Sequence, residues 1–193
     1  TGESEEEFPD ELAGRLLEMV VSHEVGHVLG LTHNFYGSSL CETEQLRDAV
    51  FLHRHGYGSS IMDYMRMNYA VQPEDGVDMS DRIPRIGAYD SLAIEWGYRY
   101  FPGLASEEIQ EKLSVWIEKK QLERKYRFQD SGGNLPEAQA EDLGRYSLET
   151  AELGMCHLKR LLRDTLRNNG RLSVENWNLA IRKQYSEYIN QAF

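Results

Sequence analysis

Residues 23–33 read His-Glu-Val-Gly-His-Val-Leu-Gly-Leu-Thr-His, and this segment sets the interpretation of the whole 193-residue chain. His23 and His27 are four residues apart, so on a helix they lie about 40° apart around the axis and about 6 Å apart along it. Gly30 is placed to end that helix, which lets the chain turn and bring His33 back. The spacing therefore predicts three imidazoles that converge on one metal ion.

The chemistry expected of such a site is hydrolysis. Three protein ligands leave one position open for water, which is the arrangement of a catalytic zinc and not of a closed structural zinc. One catalytic Zn²⁺ is thus the predicted cofactor, with His23, His27 and His33 as its ligands. Glu24 is the predicted general base, because it can take a proton from the water that attacks a peptide carbonyl.

A second function, of a different class, stays open at this point. A single histidine in a helix is usually a packing or surface residue, whereas the complete pattern strongly favours a metal site. The chain could nevertheless be a zinc-binding or protein-interaction module that keeps the metal site without turnover. Glu24 favours catalysis, because an inactive relative would most easily lose that residue.

The motif is similar to the zinc signature of the metzincin metalloproteases, His-Glu-x-x-His-x-x-Gly-x-x-His. That family has a methionine-containing turn beneath the zinc, the Met-turn, and Ser60-Ile61-Met62-Asp63-Tyr64 resembles it. The resemblance implies that Met62 forms the floor of the site and that Tyr64 approaches the metal or stabilises the tetrahedral intermediate. Over residues 12–170 the chain most resembles large secreted or envelope-associated bacterial zinc metalloproteases.

The resemblance also implies what surrounds the site. Complete metzincins place a helix and a sheet before the active-site helix, and the edge strand of that sheet holds the substrate. Because only 22 residues precede His23, we expect the helical C-terminal portion of a metzincin-like catalytic domain without its upstream sheet. The expected partners are a protein or peptide substrate and the remainder of the catalytic domain in a longer parent chain. Export to the periplasm, outer envelope or extracellular space is expected as well.

The hydrophobic pattern predicts a mainly α-helical chain, because no run of β-branched residues alternates with period two. Residues 56–60 are predicted to form a turn and residues 66–86 to be irregular, with Ser106 and Ser173 as helix caps. The predicted helices are 10–29, 43–54, 89–99, 106–124, 137–167 and 174–192. The predicted organisation is an acidic flexible N-terminus (1–9), the zinc-site half of the domain with the Met-turn (10–105) and a helical extension packed on it (106–193).

Composition excludes several other classes. With 21 Lys and Arg against 32 Asp and Glu, the net charge is −11, which suits the phosphate backbone of nucleic acids poorly. No apolar run approaches the roughly 18 residues of a membrane span. Two cysteines exclude a disulfide scaffold and any multi-cysteine metal site, while a Cys41–Cys156 pair stays open.

Other candidate ligands are less favoured than the three histidines. Glu42 or Glu44 could supply a third ligand in the manner of gluzincins, but the third histidine already fills that role. His53 and His55 end the second predicted helix, where they suit the helix dipole better than a second metal site. His157 lies among leucines and is predicted to pack.

The remaining candidates surround the site. Asp63 or Asp90 could orient a ligand histidine, and the sequence does not choose between them. Met65, Met67 and Tyr69 follow the Met-turn, where they either line the substrate pocket or belong to the core.

Overall fold

The structure, a computed structural model, describes residues 9–130 and 135–167. Within these ranges no β-strand occurs, so the predicted mainly helical class is confirmed. No helix of this described part is long and apolar enough to cross a membrane. The helices are α1 (Asp10–Val28), α2 (Ala49–His55), α3 (Ala88–Tyr98), α4 (Ser106–Lys120) and α5 (Ser147–Arg167). Short 3₁₀ turns span Ser38–Leu40, Gln45–Arg47, Pro73–Asp75, Met79–Arg82 and Arg124–Tyr126.

Helix α1 begins and ends as predicted. Asp10 and Glu11 occupy its first turn, where negative charge complements the helix dipole. Gly30 follows its C-terminus with φ of +88°, a conformation that costs glycine little. The Leu31 amide donates to the Gly26 carbonyl at 3.0 Å, which closes the turn and sends the chain back toward the helix.

The predicted second helix, 43–54, is divided into two elements. Gln45–Arg47 forms a 3₁₀ turn, and α2 begins only at Ala49. Asp48 separates them as an N-cap, because its carboxylate accepts the Val50 and Phe51 amides at 2.9 and 3.0 Å. Gly56, with φ of +68°, ends α2 as predicted.

The hydrophobic core lies beneath the Met-turn and is built mainly from residues 40–77, with Leu143 and Leu153 added from later in the chain. Helix α1 contributes little to it, since Gly26 is the helix's one buried residue. Helix α1 therefore lies on the surface of the described structure. The core residues are Cys41, Leu46, Leu52, Tyr57, Met65, Ala70, Val71, Val77 and Leu143.

The helix predicted at 137–167 begins ten residues later, so the prediction is wrong for 137–146. Glu141 and Gly144 have φ of +67° and +76°, which a helix does not allow. Leu143, which is fully buried, enters the core from this loop. Burial of Leu143 and the bends around it thus replace the first turns of the predicted helix.

The other boundaries are close to expectation. Helix α3 matches its prediction to within a residue, whereas α4 ends at Lys120 and not at 124. Ser106 is not the cap of α4: Ala105 occupies that position, and its amide donates to the Glu108 carboxylate at 3.0 Å. The predicted helix at 174–192 and the cap at Ser173 lie outside the described residues.

Candidate metal centre

The three histidines of the motif lie together. One potential ligand atom from each of His23, His27 and His33 falls within 4.8 Å of the others. The ring centroids are 4.8 Å apart for His23 and His27, 4.7 Å for His27 and His33, and 5.4 Å for His23 and His33. Within the described residues this is the one group of three or more histidine, cysteine or acidic side chains close enough to share a metal ion.

Backbone carbonyls orient the first two rings. His23 Nδ1 donates to the Ile61 carbonyl at 2.8 Å, and His27 Nδ1 donates to the Leu31 carbonyl at 2.9 Å. Because a carbonyl oxygen only accepts hydrogen bonds, each Nδ1 must carry the proton. The neutral form of each ring then has its lone pair on Nε2, which is the form that binds a metal.

The third histidine fits a metal ligand for another reason. His33 Nε2 is buried and has no hydrogen-bond partner, although buried polar atoms are nearly always paired. Burial lowers the pKa of His33, and the nearby His27 and His23 lower it further. The imidazole is therefore held neutral at neutral pH, ready to donate its lone pair.

Glu24 and Tyr64 share one cleft with His23 and His27. The cleft has a volume of about 420 Å³, and its walls include His23, His27, Met65 and Pro84. Glu24 is exposed, and its negative charge is close enough to His33 to act on the pKa of that ring. The Tyr64 ring centroid lies 4.4 Å from that of His33, and 49% of the residue is exposed. Both predicted catalytic side chains thus face the solvent-accessible side of the cluster.

Met62 lies directly against the active-site helix. It is fully buried, and a Cβ atom placed on Gly26 would come within 2.3 Å of its sulfur. Gly26 lies between His23 and His27 in sequence. The methionine therefore packs against the helix backbone between the first two histidines, while its role as the floor of the site stays a prediction.

Neither candidate aspartate bonds a histidine directly. Asp63 accepts the Ser38 amide at 2.6 Å and leaves its Oδ1 buried without a partner. Asp90 instead holds the Met-turn, since its carboxylate accepts the Ile61 amide at 2.7 Å and the Ser60 hydroxyl at 2.6 Å. Burial raises the pKa of Asp90, while these hydrogen bonds act in the opposite direction.

Asn34 is a site residue that the sequence reasoning missed. It is fully buried, and its backbone amide donates to the Met62 carbonyl at 3.1 Å. Its side chain donates to the Arg127 carbonyl at 3.0 Å and accepts the Gln129 amide at 3.1 Å. Asn34, which directly follows His33, thus connects the end of the motif to the Met-turn and to the segment that contains Arg127 and Gln129. A polar residue directly after the third histidine was its one signal in the sequence.

The less favoured ligands lie elsewhere. Glu42 pairs with Arg145, and neither Glu42 nor Glu44 joins the described metal-binding group. His53 is exposed and contacts Asp81 at 3.1 Å. His157 is half-buried, and burial lowers its pKa. None of these side chains supports the gluzincin alternative or a second metal site.

The cysteines and the residues after the Met-turn can also be placed. Cys41 is buried and Cys156 is exposed, and both are free, so the structure contains no Cys41–Cys156 disulfide. Met65 belongs to both alternatives, because it lines the cleft and is part of the core. Tyr69 packs against the core, and Met67 is absent from the residues that line the cleft.

Comparison with known families finds one whose model, described as Met-zincin, matches residues 5–193. The matched range contains the three histidines, Glu24 and the Met-turn. No curated protein and no solved structure matches the chain.

Proposed function

Since the chain belongs to the Met-zincin family, we propose that it is a zinc-dependent endopeptidase or the metal-binding part of one. The observation that carries this proposal is the convergence of three correctly oriented imidazoles beside an exposed glutamate. His23 and His27 have their Nδ1 atoms occupied by carbonyls, and His33 has an unpaired buried Nε2. Such a donor set suits Zn²⁺, which binds neutral imidazole readily.

His23, His27 and His33 would hold the metal. When bound, zinc polarises a carbonyl oxygen and lowers the pKa of water at the site. The protein's own contribution begins with the rigid placement of the three rings. The Ile61 and Leu31 carbonyls fix two of them, and the turn at Gly30 brings in the third.

Glu24 would act as the general base. It follows His23 on α1 and lines the same cleft, so its carboxylate can accept a proton from the attacking water. The same carboxyl group can then return that proton to the leaving amine. Its exposure leaves it accessible to substrate.

Tyr64 would stabilise the oxyanion that develops on the substrate carbonyl. A phenol O–H is a hydrogen-bond donor, and such donors act most strongly when they are held in place beforehand. Phe35 contacts the Tyr64 ring edge to face at a centroid distance of 5.8 Å, and the His33 ring lies 4.4 Å from it. These contacts support the ring while half of the residue remains exposed.

Glu24→Gln tests the proposal. The purified protein should contain about one zinc per molecule by elemental analysis and should cleave a mixed peptide library. The variant should keep its zinc and lose at least about 100-fold in kcat/KM, the lower range of a general-base contribution. Glu11→Gln, on an exposed part of the same helix, is the matched control and should match wild type.

Two outcomes would count against the proposal. Zinc binding with equal turnover by Glu24→Gln and wild type would overturn the general-base role. Zinc binding without any turnover by wild type would favour the alternative, a non-catalytic zinc-binding or interaction module.

The proposal extends to surroundings beyond the described residues. The substrate is a protein or peptide, export places the enzyme outside the cytoplasm, and further polypeptide of a longer chain completes the cleft. Val20, an apolar side chain of α1 that lines the cleft and is 49% exposed, supports the last of these. Fractionation of the source cells would test export.

A further inference from the structure

A buried carboxylate that the proposed reaction does not use lies against the Met-turn. Asp90, on the first turn of α3, is 4% exposed. Its Oδ2 accepts two backbone amides, from Ile61 and Gly87, each at 2.7 Å. Its Oδ1 accepts the Ser60 hydroxyl at 2.6 Å. Both carboxylate oxygens are therefore occupied by donors, and two of the three donors belong to the Met-turn.

The contacts continue from the Met-turn to the metal cluster. Ile61 donates its amide to Asp90 and accepts the His23 Nδ1–H with its carbonyl, at 2.8 Å. Ser60 Oγ, while donating to Asp90, also accepts the Met62 amide at 3.1 Å. One residue, Ile61, thus separates the carboxylate from the first histidine.

We propose that Asp90 is a positioning residue for His23, acting through the backbone of Ile61 to set the tautomer and direction of the imidazole. An unrestrained neutral imidazole carries its proton on either nitrogen. A carbonyl held at hydrogen-bond distance from Nδ1 selects the tautomer whose Nε2 can bind a metal. Partners of this kind around a ligand histidine typically contribute about 10–100-fold to metal affinity.

The inference rests on the proposed metal site, but part of it concerns the metal-free protein. The tautomer of His23 should be fixed before any ion binds, because every hydrogen bond in the series lies within the chain. Nitrogen-15 shifts of the histidine rings distinguish a protonated from an unprotonated nitrogen. In zinc-free wild type, His23 should show a protonated Nδ1 and an unprotonated Nε2.

Three variants test the role of Asp90. Asp90→Ala removes every acceptor, and we expect zinc affinity to fall about 10–100-fold, with mixed tautomers at His23. Asp90→Asn keeps one acceptor oxygen and should lose roughly tenfold in zinc affinity, at the lower end of the same range. Ser91→Ala is the matched control, because Ser91 bonds only the Gly87 carbonyl, at 3.3 Å, and is exposed; it should match wild type.

Zinc affinity is measured by competition with a chelator at a temperature where circular dichroism shows each variant folded. If Asp90→Ala does not fold, Asp90→Asn decides. A folded variant that lacks the carboxylate yet keeps wild-type zinc affinity and a protonated His23 Nδ1 would overturn the inference. Absence of zinc binding by wild type would instead contradict the proposed function, and the tautomer measurement would still judge Asp90.

Discussion

At the scale of single residues, the contact between Gly26 and Met62 is the tightest constraint on the metal site. A Cβ on Gly26 would lie 2.3 Å from the Met62 sulfur and 3.2 Å from its terminal carbon. Gly26→Ala should therefore displace Met62 and shift α1 relative to the Met-turn. We expect a loss of about 1–3 kcal/mol in the free energy of unfolding, as for other overpacked sites. Zinc affinity, measured by chelator competition, should fall as well.

Gly14→Ala is the control on the same helix. No atom lies within 4 Å of a Cβ at Gly14, so alanine should stabilise the protein by about 0.5–1 kcal/mol through its better helix propensity. Zinc affinity should be unchanged in this variant. Wild-type zinc affinity in Gly26→Ala would show that Met62 does not set the spacing of the histidines.

The residues of the cluster could be predicted from sequence because side-chain spacing on a helix follows from its geometry. His23, His27 and His33 needed only that spacing and a glycine. The groups that orient them could not be found in this way. The Ile61 and Leu31 carbonyls belong to the backbone, which every residue carries, so no residue type signals their role. From the sequence, Asp90 was one of two equal candidates for orienting a ligand histidine. Its contact with the Met-turn is visible only in the structure.

At the scale of elements, Asn34 connects three separate segments around the site. Its backbone amide donates to the Met62 carbonyl, and its side-chain nitrogen donates to the Arg127 carbonyl. Its side-chain oxygen accepts the Gln129 amide. Asn34→Ala would remove the side-chain partner of two partly buried backbone groups, the Arg127 carbonyl and the Gln129 amide, at about 1 kcal/mol for each. Because His33 precedes Asn34, we also expect zinc affinity to fall roughly tenfold, as for other partners outside the ligand set. Denaturant titration and chelator competition measure the two effects.

Gln129→Ala is the matched control, because it removes a side chain of this segment and leaves the backbone hydrogen bonds of the segment in place. The Gln129 side chain donates to the adjacent Asp130 carbonyl, while its amide and carbonyl contact Asn34 and Phe35. This variant should keep wild-type stability to within about 0.5 kcal/mol, as an exposed substitution does. If Asn34→Ala were destabilised with unchanged zinc affinity, Asn34 would support the fold alone.

The elements themselves were predictable where local signals and tertiary packing agree. Helix α1 has acidic residues at its start and Gly30 at its end, and the structure follows them. The segment at 137–146 carries helical spacing too, yet Leu143 leaves that pattern to fill the core, with Gly144 turning the chain after it. At 43–54 the pattern was continuous, but Asp48 competes for the backbone amides and starts a new helix. Both errors arise because burial and capping outweigh periodicity.

At the scale of the whole molecule, the loop before α5 is joined to the metal-site half through two buried carboxylates. Ser38 donates its amide to Asp63 and its hydroxyl to Asp142, at 2.6 and 2.5 Å. The Glu141 amide also donates to the Tyr64 carbonyl at 3.0 Å. Sequence analysis could not have found this link, because Asp63 and Asp142 are far apart along the chain and neither belongs to a motif.

This pair predicts how global stability depends on pH. Burial raises the pKa of Asp63 from 3.8 to about 7, and the charge of Asp142 adds to the effect. Burial likewise raises the pKa of Asp142, to about 6. The folded protein thus holds protons that the unfolded chain has already released. The stability contributed by these groups is complete below about pH 4 and is lost as pH rises through 6 and 7.

Asp63→Asn should remove the largest part of the stability loss at rising pH, because the side-chain amide stays neutral at every pH. Relative to wild type, its free energy of unfolding should become larger, so that the variant gains stability, as pH rises from 4.5 to about 7.5 in urea titrations at several pH values. Asp75→Asn is the control: the hydrogen bond from Arg47 lowers the pKa of Asp75, so that group is ionised throughout the window. Its difference from wild type should stay constant there. A constant difference for Asp63→Asn as well would contradict this prediction. It would show that the Asp63 carboxyl is ionised in the folded protein and that burial around Ser38 does not raise its pKa.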